Sequence, residues 1–146
     1  MKSNPWGMVT WTLFHTLIEL LPDEKYNTVG EDLFNQIKSL CTVLPCPSCS
    51  THATHYLRNV RYSQIPSKMH MKLFFHQFHN TVNHRTNKPI ESPEILEKYK
   101  LGNLMKIYRV VYGLFTKNYG NTRMMMYTIR RKHILSKLYQ FIKTHY

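Results

Sequence analysis

Apolar side chains recur at helical spacing along this chain, and prolines divide the recurrence into separate segments. One segment ends at Pro45, and its apolar positions are Leu33, Phe34, Ile37, Leu40, Cys41 and Leu44. Steps of three and four residues place these side chains on one face of a helix. Alternating β-branched runs, which half-buried strands need, are few. The pattern therefore predicts an all-α fold.

Caps and breakers set the expected bounds of the first three helices. Asn4-Pro5 and Pro22 bound a first helix at about residues 5–21. Thr28-Val29-Gly30-Glu31 fits a capping box that starts a second helix, which ends before Pro45. A short third helix then covers about residues 46–58.

More helical segments follow in the second half of the chain. Ser67 caps a fourth helix that Asn87-Lys88-Pro89 ends, and Ser92-Pro93 starts a short fifth helix through about residue 100. Two further amphipathic segments, near 107–114 and 134–142, lie on either side of an expected turn at 118–121.

Length and charge limit how the chain is organised. Its 146 residues suffice for one well-packed domain. Eleven of the 20 basic side chains and none of the eight acidic ones lie in residues 98–146, so nearly all of the net charge of +12 belongs to the C-terminal third. We expect residues 1–100 to form the functional domain. Residues 101–146 are expected to form a basic helical extension, packed on the core or at a dimer interface.

The terminus and the cysteine count indicate a reducing compartment. No apolar stretch approaches the roughly 20 residues of a membrane span, and the sequence Met1-Lys2-Ser3-Asn4-Pro5 lacks a signal-peptide pattern. We therefore expect a cytoplasmic protein that is neither secreted nor transmembrane. Cys41, Cys46 and Cys49 cannot form a disulfide framework, because one is always left over. In such a compartment a close cysteine pair is usually redox-active or metal-binding.

Cys46-Pro47-Ser48-Cys49 stands where one helical pattern stops and the next begins. A thiol at a helix N-terminus meets unpaired N–H groups and the positive end of the helix dipole, which stabilise the thiolate. Two intervening residues also allow a disulfide that exchanges with other thiols. The motif therefore favours a redox pair in which Cys46 is the reactive sulfur.

Zinc binding is the main alternative, because His52 and His55 extend the spacing to Cys-x2-Cys-x2-His-x2-His. On a single helix His55 points about 180° away from Cys46, so one tetrahedral ion could not collect all four side chains. We expect no metal site here. The alternative function is a zinc-stapled helical module whose basic arm binds nucleic acid. A thioredoxin-like fold would need strands around the motif, and the sequence offers none.

A second cluster of polar and aromatic residues lies on two of the expected helices. Trp11 and His15 are four residues apart and share a face, while His79, Asn80 and Asn83 cluster on one side of the fourth helix. Such side chains are commonly part of the core and its rim. Here they continue a stripe of phenylalanines, and buried amides need partners. A flat aromatic ligand between the two helices would also supply those partners.

Three sequence blocks share their order and spacing with one known family, across about residues 4–99. They are Trp6-Gly7-x3-Trp11-x3-His15, Cys46-Pro47-Ser48-Cys49-Ser50-Thr51-His52-Ala53 and Phe78-His79-Asn80-x-Val82-Asn83-x4-Lys88-Pro89. Together they resemble the Erv/ALR family of FAD-dependent sulfhydryl oxidases, and most of all the compact members encoded by large DNA viruses. The resemblance implies a four-helix bundle with a short fifth helix, FAD beside the cysteine pair, and a homodimer.

The resemblance also implies a reaction and a binding site. Cys46 would accept electrons from a dithiol of a substrate protein through a mixed disulfide, and Cys49 would pass them to FAD. Molecular oxygen would then take them and form H2O2. Contacts with FAD are implied for Gly7, Trp11, His15, Cys49, His52, His76, Phe78, His79, Asn80, Val82, Asn83 and Lys88. If the chain is viral, the host cytoplasm and the virion are the expected locations.

The chain departs from the family pattern at several positions. Arg58 and His76 stand where many relatives carry a second, structural disulfide, and Phe74 stands where Trp is usual. No second cysteine pair is present as a shuttle, so the substrate must reach Cys46 itself. Cys41 is expected to be a buried free thiol, with a link to another subunit or a resolving role as the alternative.

Residues 98–146 lie largely outside the resemblance. Their basic side chains alternate with tyrosines, a composition that could bind nucleic acid through phosphate contacts and stacking. An acidic partner or an anionic membrane surface would suit the same charge. Two extra helices with a solvated basic face and an apolar face on the core would give the same pattern.

Overall fold

The computed structural model describes residues 5–117 and 122–146, with side chains for 5–117 and 125–146. These ranges contain the α-helices α1 (Pro5–Leu20), α2 (Tyr26–Cys41), α3 (Pro47–Leu57), α4 (Lys68–Arg85), α5 (Leu104–Phe115) and α6 (Thr122–His145). Short 3₁₀ helices cover Asp23–Lys25, Tyr62–Gln64 and Pro93–Leu101. The all-α prediction is confirmed, whereas the Asn4 cap and the turn at 118–121 lie outside the described residues. None of the described helices is long and apolar enough to cross a membrane.

α1 and α4 contribute the centre of the core. α1 begins at Pro5 and ends at Leu20, one residue short of the expected end. A proline in the first turn loses no hydrogen bond, because the first N–H groups of a helix have no partner within it. Both helices place apolar side chains in one cluster, which includes Leu13, Phe14, Leu17, Met71, Phe75 and Phe78.

α2 begins at Tyr26, so the capping box predicted at Thr28 is wrong. The N–H of Lys25 donates to the carbonyl of Pro22 at 2.9 Å, and this 3₁₀ turn leads directly into the helix. The Thr28 hydroxyl, already inside the helix, donates back to the carbonyl of Lys25 at 3.0 Å. The earlier start also buries the ring of Tyr26 in the core.

α2 ends at Cys41, three residues before the end that the apolar pattern predicts. The helical conformation is disfavoured for a residue that precedes a proline, so the helix ends before Leu44. The N–H of Leu44 donates instead to the Ser50 hydroxyl at 2.7 Å. Residues 42–45 therefore form a short link, called here the α2–α3 connection, that leads to Cys46.

The predicted start and end of the fourth helix are confirmed. The Ser67 hydroxyl accepts the N–H of His70 at 3.3 Å and caps α4. After Arg85 the chain reaches Asn87, whose φ of 60° is the left-handed conformation that often ends helices.

The short fifth helix is present as a 3₁₀ helix over Pro93–Leu101 and not as an α-helix. It packs against α1 and α4, and it buries Leu96 and Tyr99. It therefore covers one end of the gap between those two helices.

α5 and α6 pack on the earlier helices. α5 lies against α1, and α6 lies against α2 and α5. The Tyr108 hydroxyl in α5 donates to the carbonyl of Leu135 in α6 at 2.7 Å, and Lys25 Nζ donates to the carbonyl of His145 at 2.9 Å. The basic segment thus shares the core of residues 5–101, and a domain division at residue 100 stays a prediction.

Candidate functional site

A disulfide joins Cys46 and Cys49 at the start of α3, with their Cα atoms 5.2 Å apart. Cys46 is the N-cap residue of α3, and Pro47 occupies the first turn. The N–H of Cys49 donates to Cys46 Sγ at 3.3 Å, and the Ser48 hydroxyl lies 3.2 Å from the same sulfur. The pair therefore has the helix N-terminal environment that the sequence predicts.

A cleft of about 450 Å³ opens beside Cys49, between α1, α3, α4 and the 3₁₀ helix Pro93–Leu101. Aromatic rings form much of its wall. Trp11 meets Phe78 edge-on with ring centroids 5.1 Å apart, and Tyr56 stacks on Phe78 at 4.4 Å. Cys49 belongs to the wall, whereas Cys46 does not. The two residues of one disulfide therefore have different surroundings.

The structure brings together all but one of the residues expected to contact a cofactor. The cleft wall includes Gly7, Trp11, Cys49, His52, His76, Phe78, His79, Asn80, Val82, Asn83 and Lys88. His15 is the exception: it is 4% exposed, is not part of the wall, and contacts the wall residue His79.

A stack of aromatic rings backs the cleft. Trp11 lies almost parallel to His79 with ring centroids 4.2 Å apart, and His15 stacks between His79, at 5.2 Å, and Tyr99, at 4.8 Å. Nε2 of His15 and Nδ1 of His79 are 3.0 Å apart. Burial lowers the pKa of His15 to about 3 and that of His79 to about 4. Both rings are therefore neutral at pH 7, so one nitrogen donates and the other accepts.

The two asparagines of α4 differ in their hydrogen bonding. Asn80 Oδ1 accepts the N–H of Glu91 at 3.0 Å, and its Nδ2 donates to the carbonyl of Glu91 at 2.9 Å. Asn83 is 6% exposed and lies in the cleft wall, and its side-chain amide makes no hydrogen bond to another described residue. The chain itself satisfies the Asn80 amide, whereas the Asn83 amide is open to a ligand.

Several groups of the wall were missed in the sequence. Arg85 and Lys98 add positive charge beside Lys88, and Tyr56 adds a ring. Tyr56 follows Cys49 by seven residues, about two helical turns, so the spacing does place it on the same face. Arg85 and Lys98 carry no such signal, because cations are common on any exposed helix face.

Cys41 is a free thiol that is 1% exposed. Burial raises the pKa of this thiol to about 12, so it stays protonated and unreactive at neutral pH. The prediction of a buried free thiol is confirmed. The burial gives no support to a bond with another subunit.

The zinc alternative has no support in the part of the chain that the structure describes. Within residues 5–117 and 122–146, no group of three or more His, Cys, Asp or Glu side chains is arranged to hold a metal ion. Cys46 and Cys49 are bonded to each other.

At the positions that depart from the family pattern, no disulfide joins residues 58 and 76, and a phenylalanine stands at position 74. Arg58 is exposed, and His76 is buried with its Nε2 3.2 Å from Asn80 Nδ2. Phe74 packs edge-on against Phe34 with ring centroids 6.3 Å apart. Aromatic packing therefore joins α4 to α2 here.

A comparison with protein families decides which family this fold represents. The model of the Erv1/Alr family matches residues 8–101. The chain belongs to the Erv1/Alr family. The match includes the elements that bound the cleft and ends before α5 and α6, so the basic helices are an addition to the Erv1/Alr part.

Erv1/Alr relatives of this chain occur in viruses and in yeast. Protein 347L of Invertebrate iridescent virus 6 is 30% identical over 64% of this chain and 89% of its own length. Protein 096R of Invertebrate iridescent virus 3 is 30% identical over 69% of this chain and 71% of its own. ERV2 of Saccharomyces cerevisiae is 31% identical over 66% and 49%. All three are named FAD-linked sulfhydryl oxidases, the viral two provisionally. No solved structure matches this chain significantly.

Proposed function

We propose that this protein is an FAD-linked sulfhydryl oxidase that introduces disulfide bonds into substrate proteins and reduces O2 to H2O2. One observation carries the proposal. Cys49 belongs to the wall of an aromatic cleft, whereas its disulfide partner Cys46 caps α3 outside that wall. A disulfide with this placement can take electrons from a thiol on one side and deliver them on the other.

The residues of the cleft suit a flavin. Its volume falls in the range of small-molecule sites, about 300–1,000 Å³. Asn83 is a buried residue whose amide has no partner among the described residues, and Trp11, Tyr56 and Phe78 make the wall aromatic. The wall also carries three cations that suit the phosphates of a dinucleotide, namely Arg85, Lys88 and Lys98.

In this proposal FAD is held by the part of the wall that the sequence predicts, namely Gly7, Trp11, Cys49, His52, His76, Phe78, His79, Asn80, Val82, Asn83 and Lys88. His15 acts through His79, because it fixes that ring by stacking and by a hydrogen bond. Bound FAD supplies a two-electron acceptor that O2 reoxidises, with release of H2O2.

The exchange with substrate is carried out by the cysteine pair. A substrate thiolate attacks Cys46 Sγ, the Cys46–Cys49 bond breaks, and Cys49 leaves as a thiolate while a mixed disulfide forms. The second substrate thiolate then attacks the substrate sulfur of this mixed disulfide, and Cys46 leaves as a thiolate. The substrate has then lost two electrons and two protons, and the cysteine pair has gained the two electrons.

The surroundings of Cys46 favour its departure as a thiolate in the second step. The N–H of Cys49 points at Cys46 Sγ, and the Ser48 hydroxyl lies within hydrogen-bond distance. The N-terminus of α3 adds the positive end of its dipole. The groups that stabilise a thiolate at Cys46 are therefore in place before any substrate arrives.

The decisive experiment combines a spectrum with an oxygen electrode. Purified protein is expected to show a flavin absorption band and to consume O2 when a small dithiol is added, with one H2O2 formed per O2. Colourless protein that stays inert after addition of FAD contradicts the proposal. A zinc determination on the same sample tests the alternative, which requires stoichiometric zinc, no flavin, and DNA affinity that falls steeply with salt.

Three further parts of the proposal concern partners and place. We propose a homodimer, a reducing compartment such as a host cytoplasm, and binding of nucleic acid or an anionic surface by residues 98–146. The homodimer and the compartment rest on the resemblance to the Erv1/Alr family and on the cysteine usage. The anion binding rests on the eleven basic and no acidic residues of that segment. Light scattering checks the dimer, and a salt series of DNA binding checks the basic segment.

A further inference from the structure

Arg131 is a buried cation in α6, beyond the part of the chain that matches the Erv1/Alr family. It is 4% exposed, whereas its neighbours Arg130 and Lys132 are exposed. Burying a guanidinium is costly unless acceptors satisfy its N–H groups. Its bonds therefore indicate what this side chain does in the fold.

The guanidinium of Arg131 donates to two consecutive carbonyls of the α2–α3 connection. Nε donates to the carbonyl of Val43 at 2.5 Å, and Nη2 donates to the carbonyl of Leu44 at 3.0 Å. The planar fork of arginine suits two acceptors held side by side. The C-terminal helix thus holds the backbone just before the cysteine pair.

The α2–α3 connection is hydrogen-bonded both to α6 and to α3. Toward α3, the N–H of Leu44 donates to the Ser50 hydroxyl. Pro45 has no N–H to contribute. Arg131 therefore supplies the bonds to the carbonyls of Val43 and Leu44, both of which are buried residues.

We propose that Arg131 is a positioning residue for Cys46, acting through the backbone of Val43 and Leu44. It fixes the direction from which the chain enters α3 and so keeps Cys46 at the N-cap, with its sulfur facing the N–H of Cys49. This inference rests on the proposed function in one respect, namely that Cys46 is the sulfur attacked by the substrate. Arg131 is not part of the cleft wall.

Loss of the guanidinium leaves two buried carbonyls without donors. Unsatisfied buried acceptors cost free energy, so the connection is expected to shift toward water or toward other donors. The shift carries Cys46 with it, because only Pro45 separates Leu44 from Cys46. Small displacements of a reacting group lower the rate strongly.

The test uses the full-length protein and three variants. Arg131→Met removes the fork and keeps an aliphatic stem, Arg131→Lys keeps the charge and offers a single donor atom, and Lys132→Met is the matched control for loss of one positive charge. The first measurement is kcat/KM for a small dithiol at matched flavin content. The second is the pH profile of Cys46 alkylation by iodoacetamide in a Cys49→Ser background.

The expected result separates positioning from general stability. Arg131→Met lowers kcat/KM by about tenfold or more, and it moves the midpoint of the alkylation profile to higher pH by about half a unit, because the sulfur loses its alignment with the helix N-terminus. Arg131→Lys lies between Arg131→Met and the wild type, and Lys132→Met behaves as the wild type. A residue with a merely structural role lowers the melting temperature but leaves the alkylation profile unchanged.

The outcomes that overturn the inference are distinct from those that overturn the proposed function. Wild-type kcat/KM and an unshifted profile in folded Arg131→Met protein overturn it. If Arg131→Met does not fold, wild-type behaviour of Arg131→Lys overturns it in the same way. A wild-type protein without flavin or O2 uptake contradicts the proposed function instead, and the alkylation profile still reports on Arg131.

Discussion

Residues 5–101 and the described part of residues 104–146 differ in one respect: only the first region contributes side chains to the wall of the cleft. In the first region, polar groups such as Asn83 and His79 lie around a cleft. In the second, buried polar groups donate to backbone carbonyls: Tyr108 to Leu135, and Arg131 to Val43 and Leu44. The difference indicates that chemistry belongs to the region shared with the family, while the added helices support it. Arg131 links the two regions, because it lies in α6 and donates to the backbone that leads to Cys46.

The largest effect is expected from the cysteine pair. Cys46→Ser or Cys49→Ser should lower dithiol-driven O2 consumption by at least about a thousandfold, because no exchangeable disulfide remains. The flavin should stay bound, since most of the proposed contacts come from α1 and α4. An oxygen electrode and the flavin content of the purified protein check both parts.

Cys41 provides the matched control for these variants. This thiol is buried and protonated. Cys41→Ala should therefore retain turnover, with a change below about threefold and some loss of stability from the small cavity. Equal loss of turnover in Cys41→Ala and Cys49→Ser would remove the special role of the pair.

The next effect concerns pH, and it should separate the two regions. The folded-state pKa values of His15 and His79 lie below the ordinary 6.5, so below that pH the unfolded chain binds protons that the native state excludes. The free energy of unfolding should therefore fall as the pH falls. From pH 7 to pH 5 we expect a loss of about 2 kcal/mol from His15 and less from the partly exposed His79.

Urea unfolding at matched flavin content measures this slope. His15→Phe keeps a ring in the stack and removes the titrating group, so its stability should depend less steeply on pH. Gln140 of α6 is exposed and carries no titrating group, so Gln140→Ala should keep the wild-type slope. Identical slopes in all three proteins would show that the stacked histidines do not report on the cleft region.

Asn83 and Asn80 offer a comparison within a single helix. Asn83→Leu should weaken flavin binding by about tenfold with little change in melting temperature, because the lost amide has no partner in the described chain. Asn80→Leu should mainly lower the melting temperature, because it breaks the two bonds to the Glu91 backbone. Titration of flavin-free protein with FAD and thermal scans distinguish the two. If Asn80→Leu weakened flavin binding and Asn83→Leu lowered the melting temperature, the roles given to the two amides would be wrong.

The smallest effect is expected at Tyr108 in α5. Tyr108→Phe removes the hydrogen bond to the Leu135 carbonyl, so the free energy of unfolding should fall by about 1 kcal/mol while kcat/KM stays unchanged. Tyr112→Phe is the control, because that ring is partly exposed and its hydroxyl bonds no described residue. Denaturation curves and dithiol kinetics give both numbers. A change in turnover without a change in stability would contradict a supporting role for α5.

Much of the fold could be predicted because its signals are local. Helical spacing, the Ser67 cap and the stop at Asn87 depend on neighbouring residues, and each is confirmed. The start of α2 was predicted wrongly, because the 3₁₀ turn after Pro22 and the burial of Tyr26 outweigh the capping box at Thr28. The burial of Tyr26 depends on helices that are distant in the sequence, so neighbouring residues give no sign of it.

The candidate site shows the same limit. The sequence blocks predicted a shared site for Cys49 and the α4 residues, and all of these residues lie in the wall of one cleft. The partner of Asn80 is the backbone of Glu91, eleven residues away, and no pattern in the sequence announces it. Arg131 is hidden further, because it lies 87 residues from the carbonyl of Leu44 and looks like a surface cation between Arg130 and Lys132.

The most direct test of the central claim is a reduction without oxygen. A small dithiol is added anaerobically to flavin-loaded wild-type protein and to Cys49→Ser, and the flavin absorption band is followed with time. Transfer from Cys49 to a flavin in the cleft predicts rapid bleaching of the wild type and a stable band in the variant. Bleaching of Cys49→Ser at the wild-type rate would contradict it.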